Sequence, residues 1–226
     1  MQHERPASFN DGAPSGTAAG FAIAFCALAT IVAISHHPTV SARAPAEAIA
    51  AMVRVATADR IVHGSLIAIL AVLLYSFTVF SLRRGLHRET SVAGLVAYTI
   101  GIVALIGAGL IDGFLFPAIA ERYAGAPAEA AKAAVPVLVA GASMVQILSK
   151  FGFAAMSAGV AFWSANLLAT SGVVRAAGVI GVVSALAAAG VLVFAGQLNP
   201  HSVGAIAVVQ ALWYLAVAVL LIRGRV

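Results

Sequence analysis

Long apolar runs, separated by short polar stretches, divide this chain into six segments that are each long enough to cross a bilayer. A transmembrane helix needs about 20 consecutive, mostly apolar residues. The pattern predicts an all-α fold, a polytopic membrane helix bundle of about six transmembrane helices over residues 17–226, preceded by a flexible cytoplasmic tail at 1–16. The predicted spans cover approximately 17–35, 61–82, 93–120, 135–168, 176–196 and 203–222.

The first apolar run also permits a second interpretation, a cleaved signal peptide. The tripeptide Ala42-Arg43-Ala44 has the small-x-small form of a cleavage site. The run is longer than a typical signal core, however, and Pro45 would directly follow the cut. We therefore expect a retained helix.

A shorter helix-prone segment at 45–58 lies between the first two spans. Its length and its two charges, Glu47 and Arg54, argue against a membrane crossing. We predict an amphipathic helix that lies on the membrane surface or caps the bundle. The apolar residues on its shared face are Ile49, Met52, Val53 and Ala56.

The fourth run is longer than one crossing needs. Either Pro136 begins a separate short helix, or a single long helix is strongly tilted in the bilayer. The sequence leaves both alternatives open.

The composition supports a membrane location and excludes a nucleic-acid partner. Of the 226 residues, 62% are apolar and only 9% are charged, whereas about a quarter of the residues of soluble domains are charged. The lipid bilayer is therefore the expected partner of the outer surface. A net charge of +5 would favour nucleic acid in a soluble protein, but here the basic residues gather beside apolar runs, as they do in membrane proteins.

The distribution of arginine predicts the orientation. Cytoplasmic loops of membrane proteins are enriched in Lys and Arg. In a six-span bundle the basic clusters fall on one side, which predicts a bacterial-type inner membrane protein with both termini cytoplasmic. The arginines concerned are Arg83, Arg84, Arg88, Arg175, Arg223 and Arg225.

Several candidate metal ligands come to the opposite, extracytoplasmic ends of the spans. Asp59 and His63 are four residues apart, so both side chains can reach one centre. His36 or His37 could add a second imidazole and His201 a third, a donor set suited to zinc, copper or iron. The competing interpretation is that these are separate interfacial histidines. We expect His63 to converge with at least one of the other three.

A second group of polar residues lies within the apolar runs themselves. Asp112 shares its helix face with small residues, so it should point into the bundle, where an acid marks a functional site by default. Lys150 and Gln146 belong to a polar stripe on the fourth span. We predict an ion pair between Asp112 and Lys150, with Gln146 and Gln210 completing a polar site for a ligand or ion.

The functional prediction is correspondingly broad. The chain contains no P-loop, no Gly-x-Ser-x-Gly and no His-Glu-x-x-His motif, and its single cysteine, Cys26, cannot form an internal disulfide. The favoured function is binding or transport of a small solute or ion from the extracytoplasmic side. The alternatives are a membrane-embedded metalloenzyme and an accessory subunit of a larger membrane complex or homo-oligomer. The sequence does not decide whether a reaction is catalysed.

Overall fold

A computed structural model describes residues 16–38 and 44–226 of the chain. The predicted tail, apart from Gly16, and most of the predicted cleavage site lie outside these ranges. The described part is built from helices, with no strand, which confirms the all-α prediction. The elements are α1 (Gly16–Ser35), α2 (Pro45–Arg84), α3 (Glu89–Leu110), a π-helical turn (Ile111–Leu115), α4 (Phe116–Arg122), α5 (Ala128–Leu168), α6 (Gly172–Phe194) and α7 (Pro200–Ile222).

Six helical segments are long and apolar enough to cross a membrane, when α3, the π turn and α4 are counted as one continuous helical segment. Large apolar side chains cover the outside of the bundle: Phe194 is 88% exposed, Val193 75% and Phe25 71%. A soluble protein rarely exposes so much contiguous apolar surface. The chain therefore has the features of an integral, multi-pass membrane protein whose outer surface contacts lipid.

The six segments form a closed ring. Helix α1 packs against α2 and α7, and the ring continues through α3, α5 and α6 back to α7. Helices α3 and α5 approach each other closely. A Cβ atom added to Gly101 would lie only 2.6 Å from the carbonyl oxygen of Gly152. Such backbone contact between small residues is how membrane helices associate tightly, because lipid supplies no hydrophobic driving force between them.

The structure of helix α2 differs from the prediction in one detail. The amphipathic segment at 45–58 is not a separate helix but the first part of α2, a continuous helix of 40 residues that is about 60 Å long. No proline interrupts it after Pro45. Its apolar face does not lie on lipid, because Ile49 is buried against Ala120 and Ala131. Of the two predicted roles, capping the bundle is the one that agrees with the structure.

Helix α5 is also continuous. It runs from Ala128 to Leu168 with Pro136 inside it, so the alternative in which Pro136 begins a separate helix is wrong. The other end of α5 contributes Trp163 to an aromatic cluster with Phe77 and Trp213, whose ring centroids lie 5.1–5.9 Å apart in near-parallel planes. These rings pack the bundle. They fill its interior in the half nearer to the arginine-rich helix ends.

Candidate metal centre

Three chain segments that are distant in sequence meet at the end of the bundle opposite the arginine-rich end. His37 follows α1, His63 lies near the middle of α2, and Asp112 lies in the π turn. Their side chains contact one another directly. The predicted convergence of His63 with another histidine is therefore confirmed, with His37 as the partner.

His63 is the central residue of this cluster, and its side chain is buried. Its Nδ1 atom lies 3.0 Å from the carboxylate of Asp59 and 3.0 Å from the backbone carbonyl of the same residue. Both neighbours are acceptors, so we assign the ring proton to Nδ1, which donates to Asp59. The Nε2 atom of the neutral ring then carries a lone pair, and it faces Asp112 Oδ2 at 3.3 Å.

His37 is held in the same way from the other side. Its Nδ1 atom lies 2.8 Å from the carbonyl oxygen of Pro38, to which it donates. Its Nε2 atom lies 3.3 Å from His63 Nε2 and 3.9 Å from Asp112 Oδ2. Metal-binding histidines show this arrangement, because a hydrogen bond at one ring nitrogen fixes the tautomer and directs the other nitrogen to the ion.

The three converging atoms have the dimensions of a metal-ligand set. A point equidistant from His37 Nε2, His63 Nε2 and Asp112 Oδ2 lies about 2 Å from each atom. Zinc binds histidine nitrogen and carboxylate oxygen at about 2.0–2.2 Å. Two imidazoles and one carboxylate with an open position are the ligands of catalytic zinc sites and of non-haem Fe(II) sites.

Asp59 also lies near enough to be considered as a ligand, since one of its oxygens is within 4.8 Å of ligand nitrogens of His37 and His63. Its carboxylate already accepts the Nδ1 proton of His63, however. A carboxylate in that position orients the histidine and makes it a stronger ligand. Asp59 is therefore placed to orient His63, and Asp112 to reach the space between the two Nε2 atoms.

Two local features bring Asp112 to His63. Asp112 lies in the π turn, a rare conformation that often occurs at functional sites because it changes the direction of side chains within a helix. The next residue, Gly113, packs directly on His63: a Cβ there would collide with the Cβ of His63 and lie 2.9 Å from its Nδ1. Only glycine lets the two helices approach this closely.

The cluster lies between two cavities. An outer pocket of about 310 Å³ is lined by His37, Asp59 and Asp112 together with three prolines. An inner cavity of about 230 Å³ extends from His37, His63 and Asp112 between the helices, with apolar walls, and ends near Gln210 and Tyr214. An ion held by the cluster would therefore be accessible from the outer pocket and would face the inner cavity.

The predicted ion pair between Asp112 and Lys150 is wrong. The ammonium group of Lys150 donates to the backbone carbonyl of Gly196, in the connection between α6 and α7. Asp112 contacts the two histidines instead. The long side chain of Lys150 extends toward the end of the bundle, where a carbonyl is available, and so it does not turn toward the acid.

The two predicted glutamines both line the inner cavity, but each is bonded to protein. Gln146 forms two hydrogen bonds of 2.8 Å with the backbone of Leu198 and so fixes the connection between α6 and α7. Gln210 donates to Ser157 and accepts from Tyr214. Of the four residues predicted to bind a ligand or ion, Asp112, Gln146 and Gln210 line this cavity.

His36 and His201 lie outside the cluster. The Nδ1 atom of His36 bonds at 2.9 Å to the carbonyl of Val32 at the end of α1, so its ring turns away from that of its neighbour. His201 is exposed in the first turn of α7. Gly113 and the positioning role of Asp59 were missed from the sequence. The only signal for Gly113 was its four-residue spacing from Gly109, which indicates close helix packing and no particular neighbour.

No protein-family model, curated protein or solved structure matches this chain. Its function is therefore not inferred by similarity to a relative. What the site can do chemically follows from the geometry of His37, Asp59, His63 and Asp112 and from the two cavities beside them.

Proposed function

We propose that this membrane protein binds one divalent transition-metal ion through His37 Nε2, His63 Nε2 and Asp112 Oδ2. The observation that carries the proposal is that three acceptor atoms face one another at 3.3–3.9 Å, while both Nδ1 protons are directed elsewhere. Lone pairs so close together repel unless a positive charge lies between them. A metal ion supplies that charge at the right distance from all three atoms.

A proton on His63 Nε2 is the competing source of positive charge. Such a proton would be shared between Asp112 Oδ2 and His37 Nε2, which both lie 3.3 Å from His63 Nε2. Charge-assisted hydrogen bonds are ordinarily about 2.7–2.9 Å long, so both contacts are long for a proton. A metal ion about 2 Å from all three atoms agrees better with these separations, and this difference favours the metal.

The ligand types narrow the choice of ion. Calcium and magnesium prefer oxygen ligands, so two imidazoles argue against both. Zinc and Fe(II) accept two histidines and one carboxylate with an open coordination position, and copper also binds imidazole. Zinc is the first ion to test, because it needs no control of oxidation state.

Binding is better supported than conduction across the bundle. The inner cavity ends near Gln210 and Tyr214. Beyond them the stacked rings of Phe77, Trp163 and Trp213 fill the space between the helices. An ion at the outer cluster therefore meets a mainly apolar cavity, whose two glutamines are already bonded to protein, and then a packed aromatic layer.

We also infer an orientation in a bacterial-type inner membrane with both termini cytoplasmic. Arg83 and Arg84 end α2, Arg175 lies in the first turn of α6, and Arg223 follows α7, all at one end of the bundle. By the positive-inside rule that end is cytoplasmic. The metal centre would then open to the extracytoplasmic side through the outer pocket.

Metal analysis of the purified protein, followed by titration with Zn²⁺ or Co²⁺, tests this proposal. We expect one ion per chain and an affinity loss of about 100-fold or more in His37→Ala. His36→Ala is the matched control, because it removes the adjacent imidazole, which lies outside the cluster, and it should bind like the wild type. An absence of binding, or an equal loss in both variants, would overturn the proposal.

A further inference from the structure

The inner cavity is elongated. On α2 its lining extends from His63 to Leu73, and on α7 from Pro200 to Tyr214. At a rise of about 1.5 Å per residue, these stretches measure about 15 Å and about 21 Å. A volume of about 230 Å³ spread over this length accommodates an extended chain of atoms.

The walls of this cavity are mainly apolar. They include Leu66, Leu70, Leu73, Leu105, Met156 and Ala207, with Thr30, Gln146 and Ser149 as polar members. Apolar cavities of about 150 Å³ in soluble proteins stay free of water and accept apolar guests. The larger cavity in this bundle should likewise take up an apolar molecule in preference to water or an ion.

The polar groups at the deep end are satisfied by one another. Tyr98 donates to Tyr214 at 2.9 Å, Tyr214 donates to Gln210, and Gln210 donates to Ser157. They therefore require no polar group from a ligand. The end of an apolar chain can lie against this closed network, whereas a polar head group finds its partner only at the other end, beside His37, His63 and Asp112.

The length of the cavity matches one leaflet of a membrane. The hydrocarbon core of a bilayer is about 30 Å thick, so the acyl chains of one leaflet extend over about 15 Å. We propose that the inner cavity binds a single-chain amphiphile of the fatty-acid type. Its chain lies along α2 and α7, and its acidic head group occupies the open position of the metal ion. This inference rests on the proposed metal binding.

The test uses Co²⁺-loaded protein in lipid nanodiscs, because the visible spectrum of Co²⁺ changes when a ligand enters its coordination sphere. Two probes carry the same metal-binding head: dodecanohydroxamic acid has a long chain, and acetohydroxamic acid has none. We expect the long-chain probe to bind the wild type at least about 100-fold more tightly. Equal affinities would overturn the inference.

Filling the cavity separates specific binding from partition into lipid. Ala207→Phe should reduce the affinity for the long-chain probe to about that of acetohydroxamic acid, while Co²⁺ affinity stays unchanged. Ala207→Leu is a milder second variant in case the phenylalanine prevents folding. Leu212→Phe is the control, because Leu212 lies on the outer face of α7, 58% exposed, and should bind both probes like the wild type.

The possible failures are distinguishable. If Co²⁺ binds but Ala207→Phe retains the full preference for the long-chain probe, the cavity inference is wrong and the metal proposal stands. If Co²⁺ does not bind to the wild type, the metal proposal is wrong and the cavity inference falls with it.

Discussion

The Nε2 atoms of His37 and His63 lie 3.3 Å apart, although the two residues are 26 positions apart in the chain. Each ring donates its Nδ1 proton to an acceptor of its own, Pro38 for one and Asp59 for the other. Both Nε2 atoms therefore direct a lone pair toward the same point. Asp112 adds a carboxylate oxygen there, so with both rings neutral three acceptor atoms face one another without a donor.

Metal affinity should depend steeply on pH. A histidine binds a metal only as the neutral ring, so a proton competes with the ion at each of the two rings. Binding should therefore weaken as the pH falls. Each ring that must lose a proton on binding lowers the affinity by up to about 10-fold per pH unit, so we expect a fall of about 10-fold or more between pH 7.5 and 5.5, measured by Zn²⁺ competition. A pH-independent affinity would contradict ligation by both rings.

Removing Asp59 should weaken binding without removing a ligand. Asp59→Ala takes away the group that orients His63, and loss of such a partner reduces metal affinity about 10- to 100-fold. Asp59→Asn keeps an oxygen acceptor for Nδ1 and should recover part of the affinity. The Co²⁺ spectrum should keep its wild-type form in both variants, whereas it should change in Asp112→Asn. A changed spectrum in Asp59→Asn would make Asp59 a ligand.

Gly109 and Gly113, four residues apart, provide a matched pair of substitutions that test the packing on His63. In Gly113→Ala the new methyl group would collide with His63, displacing its ring from Asp112, and we expect metal affinity to fall at least 10-fold. In Gly109→Ala the methyl group meets Ile67 and the edge of His63 at ordinary distances of 3.5–3.8 Å. That variant should bind metal like the wild type. Equal behaviour of the two variants would show that the close packing on His63 is irrelevant to the site.

Lys150 should be energetically independent of Asp112. Lys150→Met loses a contact with the carbonyl of Gly196 and leaves both histidine contacts of the acid in place. Residues without shared partners give additive changes within about 0.5 kcal/mol. A double-mutant cycle with Asp112→Asn, measured on the free energy of unfolding, should therefore be additive. A coupling energy well above about 0.5 kcal/mol would instead support the ion pair that was predicted from the sequence.

Reporter fusions test the orientation. A reporter placed after Arg88, between α2 and α3, and one placed after Val226 should both report the cytoplasm. A reporter inserted at Ala126, between α4 and α5, should report the opposite side. A reversed pattern would place the metal centre on the cytoplasmic side of the membrane and would leave its ligand geometry unaffected.

The fold could be predicted from the sequence because membrane spans are encoded locally. An apolar run must form a helix in lipid to satisfy its backbone, so hydropathy alone defines the six segments. The extent of α2 was harder to predict from the sequence, because the pattern changes from amphipathic at Ile49 to mostly apolar after Ile61 without a helix break. Whether Ile49 contacts lipid or protein depends on α4 and α5, which are distant in the sequence.

The site could be predicted only in part, for a similar reason. Asp59 and His63 are linked by helical periodicity, and alternation of the spans brings His37 to the same end. The partner of Asp112 could not be derived, because its direction depends on a π turn that no residue pattern marks. Regular α-helical geometry pointed Asp112 toward Lys150, whereas the observed turn points it toward His63.

The π turn has a consequence for how this site could be acquired or lost. A π turn contains one residue more than the α-helical turn that it replaces, so deleting Phe114 or Leu115 would return this stretch to α-helical geometry and redirect the side chains within it. Helix α4 would keep its register, and Glu121 would keep its two hydrogen bonds of 2.6–2.8 Å with Arg60. A single-codon insertion or deletion could thus create or abolish the centre without replacing any ligand.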